Sequence, residues 1–142
     1  MKKQMLALRG SGSVGKSTAL FFLYKLLMAD PKAKTVSYRA IGHLHDFIAV
    51  IKLGGQKVGI VNRGDIHSEL KQYLRELEAK GCTLIICAAR TRGPVERVLS
   101  DFGTRFELTC VKKRPVSSAF RSIANRSAGH DLAGRVYAAI VT

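Results

Sequence analysis

The stretch Leu6–Leu27, LALRGSGSVGKSTALFFLYKLL, changes character twice over a short length of chain. Met5-Leu6-Ala7-Leu8 is an apolar run of the kind that forms a short buried strand. Leu20, Leu23, Tyr24 and Leu27 recur at helical spacing, which predicts a helix from about Lys16 to Met28, stopping before Asp30-Pro31. Between strand and helix lie Gly10, Ser11, Gly12, Ser13, Val14, Gly15, Lys16 and Ser17. Whether this glycine knot is a turn or a cradle for anions decides how the rest of the chain is read.

The knot fits G-x-x-x-x-G-K-[ST], the Walker A pattern. Its four fixed positions coincide by accident in on the order of half a per cent of chains this long. The flanks sharpen the match, because a strand leads in and a helix leads out. Holding phosphates requires converging backbone N–H groups, and glycines let the backbone curve inward without Cβ clashes. The following helix aims its free N–H groups and positive dipole end at the same anion. In this pattern Lys16 reaches the β- and γ-phosphates, the Ser17 hydroxyl coordinates Mg²⁺, and Thr18 is placed for the α-phosphate.

The segment resembles the P-loop nucleoside triphosphatases, strongly over residues 5 to 28 and loosely over the alternation that follows. That resemblance implies a parallel sheet core, a bound nucleoside triphosphate with magnesium, and hydrolysis or phosphoryl transfer.

Farther along, Thr35–Ala40 reads as a second strand, and Phe47–Leu53 and Lys57–Val61 flank Gly54-Gly55 as a hairpin. Leu70, Tyr73, Leu74 and Leu77 mark a second helix with Gly81 past its end. Cys82–Ala88 is apolar almost throughout, as a central parallel strand must be. Pro94 opens a short helix closed by Gly103, and Phe106–Val111 is the last strand. Two helices, Ser117–Ala124 and Asp131–Ile140, are expected on either side of Ser127-Ala128-Gly129. The expected fold is three-layer αβα, with a mostly parallel sheet of about five or six strands and one antiparallel hairpin strand. Residues 1–142 are expected to form one nucleotide-binding domain.

A P-loop enzyme normally presents an acid at the end of a second strand to hold the metal. Here Asn62 follows the apolar run Val58–Val61, and Asp65 comes three residues later. Asp65 has two readings, a support for magnesium and the N-cap of the helix beginning near Ile66. The hairpin and its Gly-Asp turn are similar in outline to the switch regions of small GTPases, but Asn62 and Gly64 depart from their Asp-x-x-Gly spacing. No [NT]-K-x-D element for guanine is present, so ATP is the default nucleotide. Arg90 and Arg92 follow an apolar strand on the carboxyl side, where guanidinium groups can clamp a γ-phosphate or a phosphorylated substrate. The other reading of those arginines is a solvated basic loop. Lys112-Lys113-Arg114-Pro115 ends the last strand on the same side, where Arg114 or Pro115 could border the base. His43, His45 and Asp46 lack a convincing fourth ligand for a transition metal and read better as a segment near the nucleotide. His67 and Glu69 are candidate general bases that an exposed helix start explains as well.

Composition bounds the partners. Lys and Arg total 24 against 10 acids, a net charge of +14, which points to a polyanion, nucleic acid first and an acidic membrane surface second, the other reading being a basic surface that only keeps the protein soluble. No apolar run approaches the about 20 residues that span a bilayer. The three cysteines form no C-x-x-C pair and Met1–Gln4 has no cleavable-signal pattern, so a cytoplasmic location is expected. The first functional expectation is a magnesium-dependent ATPase in which Lys16, Asp65, Arg90 and Arg92 act on the developing phosphate charge. A small-molecule or nucleotide kinase is the alternative, as is a non-hydrolysing, nucleotide-gated module on a polyanionic partner. The small size also suits a subunit that acts with a protein partner or as an oligomer.

Overall fold

The computed structural model describes residues 3–10, 16–41, 46–62, 67–89, 95–112 and 120–141, with backbone alone at Lys16, Ser17, His67, Ser68, Val95, Arg121 and Val141. In chain order the elements are β1 (Gln4–Arg9), α1 (Lys16–Met28), β2 (Lys34–Ala40), β3 (Phe47–Leu53), β4 (Gln56–Val61), α2 (His67–Ala79), β5 (Leu84–Ala89), α3 (Val95–Phe102), β6 (Glu107–Lys112) and α4 (Arg121–Val141). The strands form one six-stranded sheet in the order β2-β3-β4-β5-β1-β6.

β5 is buried at every position because β4 and β1 pair with it on both sides and helices cover both faces. Alternation along β1 sends Leu6 and Leu8 to one face and Met5 and Ala7 to the other. On the first face they meet Ala19, Leu20, Leu23 and Leu27 of α1 with Leu132 and Val136 of α4. On the second they meet Leu70, Leu74 and Leu77 of α2 with Val98, Leu99 and Phe102 of α3. The layering therefore follows directly from period-2 strands meeting period-3.6 helices.

The sheet is mixed: the antiparallel hairpin strand that was expected is β3, and it makes two of the five pairings antiparallel, so the sheet is less fully parallel than expected. β1 pairs in parallel with β5 and β6, and β4 with β5. β3, by contrast, pairs antiparallel with both β2 and β4. The cause is connection length. Gly54 and Gly55, at φ 61° and 78°, close the β3–β4 turn. The link from Ala40 to Phe47 is also short, whereas a parallel crossover needs about a dozen residues or more. β3 alone runs against the other strands, yet its central place in that half makes both its pairings antiparallel.

The carboxyl-terminal region also departs from expectation. A single helix, α4, runs through Ser127-Ala128-Gly129 where two helices were expected. Gly129 is buried against α1, and a Cβ there would lie 3.1 Å from Phe22 Cδ1 and 3.3 Å from the Ala19 carbonyl oxygen. The glycine therefore serves close helix packing and does not break the helix. α4 runs parallel to α1, since Gly129 meets Ala19 while the Tyr137 hydroxyl, farther along, donates to Asp30 Oδ2 at 2.8 Å beyond the end of α1.

Candidate functional site

Every strand except β3 ends at one edge of the sheet, and β3 begins there. Backbone hydrogen bonds tie the exits together. The Gly10 N–H donates to the Ala89 carbonyl at 3.3 Å, Ile41 N–H to Asp46 at 3.1 Å, and Asn62 N–H to Phe47 at 2.8 Å. Arg9 is in register with Ala89 on one side and Lys112 on the other. In open α/β sheets such a carboxyl edge is where ligands collect.

The expected site residues fall unevenly on this frame. Gly10 is buried at the end of β1, Lys16 is the first residue of α1 with Ser17 next, and Thr18 is exposed in the first turn. Ser11, Gly12, Ser13, Val14 and Gly15 lie outside the described residues, as do Asp65, Arg90 and Arg92. The same is true of His43, His45, Lys113, Arg114 and Pro115. Asp46 and Glu69 are half-buried.

Register distinguishes the anchors of those segments. The chain that carries Arg90 and Arg92 departs from Ala89, which is bonded to Gly10. The chain that carries Asp65 departs from Asn62 at the end of β4, and β5 lies between β4 and β1. Two strand spacings put the end of β4 about 10 Å from the end of β1. Ala89 thus lies beside Gly10, and Asn62 one strand farther away. Asn62 is buried, in the place where a metal-binding acid was sought.

Two residues that the sequence did not single out belong to this end of the molecule. Arg9 closes β1 with its side chain only 11% exposed and forms an ion pair with Glu96 in the first turn of α3. Its guanidinium also lies 3.7 Å from Cys110 Sγ on β6. The only signal for it in the sequence is a charge at the last place of an apolar strand. Asn125 is buried on α4, and its Oδ1 has no hydrogen-bond partner. It precedes Gly129 by about one turn, toward the end of α4 that lies on the same side as the start of α1. One polar residue in an otherwise ordinary helix gives no signal of this kind.

Charge is distributed unequally about the sheet. On the α2–α3 side, Arg39 and Lys80 pair with Glu76, Arg105 with Glu78, and Arg9 with Glu96. The hydrogen bonds from Arg39 hold the Glu76 carboxyl below its usual range, and Arg105 does the same for Glu78. From Leu108 to His130 the chain carries Lys112, Lys113, Arg114, Arg121 and Arg126 and neither Asp nor Glu. Among the described residues no group of three or more His, Cys, Asp or Glu could hold a metal ion, and no helix is long and apolar enough to cross a membrane.

Comparison of the chain with protein families, curated proteins and solved structures returned no match. The functional reading therefore rests on the motif and on the geometry around it.

Proposed function

We propose that the chain is a P-loop nucleotide-binding protein that takes a nucleoside triphosphate, ATP by default, with magnesium at the carboxyl edge of its sheet. We propose also that it hydrolyses this nucleotide. One observation carries the reading. The run Gly10–Ser17 joins the end of a buried strand in the parallel half of the sheet to the first turn of the 13-residue helix α1. That is the junction at which a G-x-x-x-x-G-K-[ST] segment can present backbone N–H groups and a helix dipole to an anion.

The donor set suits a triphosphate better than a protein-held metal. With no cluster of metal ligands among the described residues, magnesium would ride on the nucleotide with Ser17 and Asp65 as its protein contacts. When bound, it supplies positive charge to the phosphate oxygens. Lys16 would neutralise charge on the terminal phosphates, and Arg90 or Arg92 would do so from the chain that follows Ala89, the residue beside Gly10. The buried Asn125 Oδ1 is an acceptor that a ribose hydroxyl or a base amine could satisfy and a bare phosphate could not.

A second reading has its own support. The buried Asn62 follows β4 where a metal-binding acid was sought, and Asp65 comes three residues later, which supports a displaced acid. This favours a module that binds nucleotide and turns it over slowly or not at all. Phosphate release from ATP with magnesium, measured for wild type and Lys16→Ala, separates the readings. A hydrolase releases phosphate and loses that activity in the variant. A module gains melting temperature with nucleotide while both proteins release nothing, and a kinase produces ADP only when an acceptor is added. If no triphosphate alters either melting or phosphate release, the nucleotide reading is wrong.

A further inference from the structure

We infer that the exposed flank of α4 beside Phe22 of α1 is a binding surface for single-stranded nucleic acid, with Phe120, Ile123, Arg126 and Phe22 as its contact residues. Phe120, just before α4, is 63% exposed and Ile123 is 68% exposed, the two most exposed of the large apolar side chains recorded. Arg126 and His130 follow on the same flank of α4 and converge on Phe22 of α1. The Arg126 guanidinium lies 5.7 Å from the Phe22 ring centroid, and the His130 ring 5.8 Å from it. Flat cationic and aromatic groups thus lie side by side along one helix.

Charge chooses among the occupants. On the α2–α3 side Arg39, Lys80, Arg105 and Arg9 pair with Glu76, Glu78 and Glu96, while the stretch Leu108–His130 carries no Asp or Glu and the next acid, Asp131, pairs with Arg135. A second copy of the chain seated here by two-fold symmetry would set the same cations face to face. A lipid surface needs a broad apolar helix face, but the apolar side of α4 is spent on the core through Leu132 and Val136, which among the described residues of this flank leaves Phe120 and Ile123 to insert. Unpaired bases stack on aromatic and guanidinium planes while their phosphates meet cations, and the described residues of this surface supply Phe120, Phe22 and Arg126 for these contacts. A duplex hides its base faces and would gain only the phosphate contacts. Stacking and phosphate contacts of this kind need no bound triphosphate, so the test uses the chain without added nucleotide.

The test is fluorescence anisotropy of a labelled oligothymidylate of about 20 nucleotides, titrated at low salt with the full chain. Wild type should bind, with affinity falling steeply as salt rises. Phe120→Ala and Arg126→Gln should each weaken binding about fivefold or more. Arg97→Gln, an exposed arginine on α3, should change it less than about twofold. All three side chains are exposed, so unchanged melting temperatures should accompany these shifts. The inference is overturned if wild type fails to bind, if Phe120→Ala binds as wild type does, or if Arg97→Gln weakens binding as much as Arg126→Gln. It is also overturned if phosphatidylserine vesicles retain the protein and the oligonucleotide does not.

Discussion

Burial separates the three cysteines chemically. Cys82 and Cys87 are wholly buried, and loss of solvation pushes their thiols up to about 11 and about 12 respectively. Cys110, on the edge strand β6, is exposed. Only the thiolate reacts with an aromatic disulfide reagent. At mildly alkaline pH the folded protein should therefore release one equivalent of chromophore quickly, from Cys110. Cys82 and Cys87 should follow only in denaturant. Equal rates for all three in the folded protein would contradict this packing. Cys87 and Cys110 both register with Ala7, on opposite sides of β1, so their Cα atoms are about 10 Å apart, too far for a disulfide. The residue scale also shows where sequence reading stops. Asn62 could be placed at the end of its apolar run from the sequence, but Asn125 could not be recognised as a buried acceptor, because its burial is a product of tertiary packing.

Among the elements, α4 provides the sharpest contrast between local and tertiary rules. Gly129 and Gly134 both lie inside it. A side chain at 129 would press on the Ala19 carbonyl and the Phe22 ring, whereas a Cβ at 134 meets nothing within 4 Å. Gly129→Val should therefore cost about 1–3 kcal/mol by overpacking. Gly134→Ala should stabilise by about 0.5–1 kcal/mol through helix propensity alone. Urea denaturation of the two variants checks both signs, and a neutral Gly129→Val would mean that α4 and α1 do not approach as described. The remaining elements were largely legible, because α1, α2, the β3–β4 hairpin and β5 each have an unambiguous period and clear stop residues. The expected break at Ser127-Ala128-Gly129 is the exception. A small-residue run reads as a helix breaker locally, and only the partner helix reveals it as a contact surface.

At the scale of the whole molecule, the order of strands was not legible. Short connections dictate that β2, β3 and β4 are neighbours, but nothing local places β1 between β5 and β6. That placement matters because it sets Ala89, the last described residue before Arg90, beside Gly10, and Asn62 one strand farther off. The glycine run itself was plain in the sequence, since its residue types answer a demand of phosphate chemistry that does not depend on the surrounding fold. Which neighbours attend it could be read only from strand register. Calorimetric titration of a non-hydrolysable ATP analogue with magnesium, into wild type and into Lys16→Ala, is the direct measurement. The account predicts saturable one-to-one binding by wild type and a loss of at least about 30-fold in the variant, the consequence of removing one partner of a buried charge pair. Saturable binding of equal strength in both proteins, or none in wild type, would contradict it.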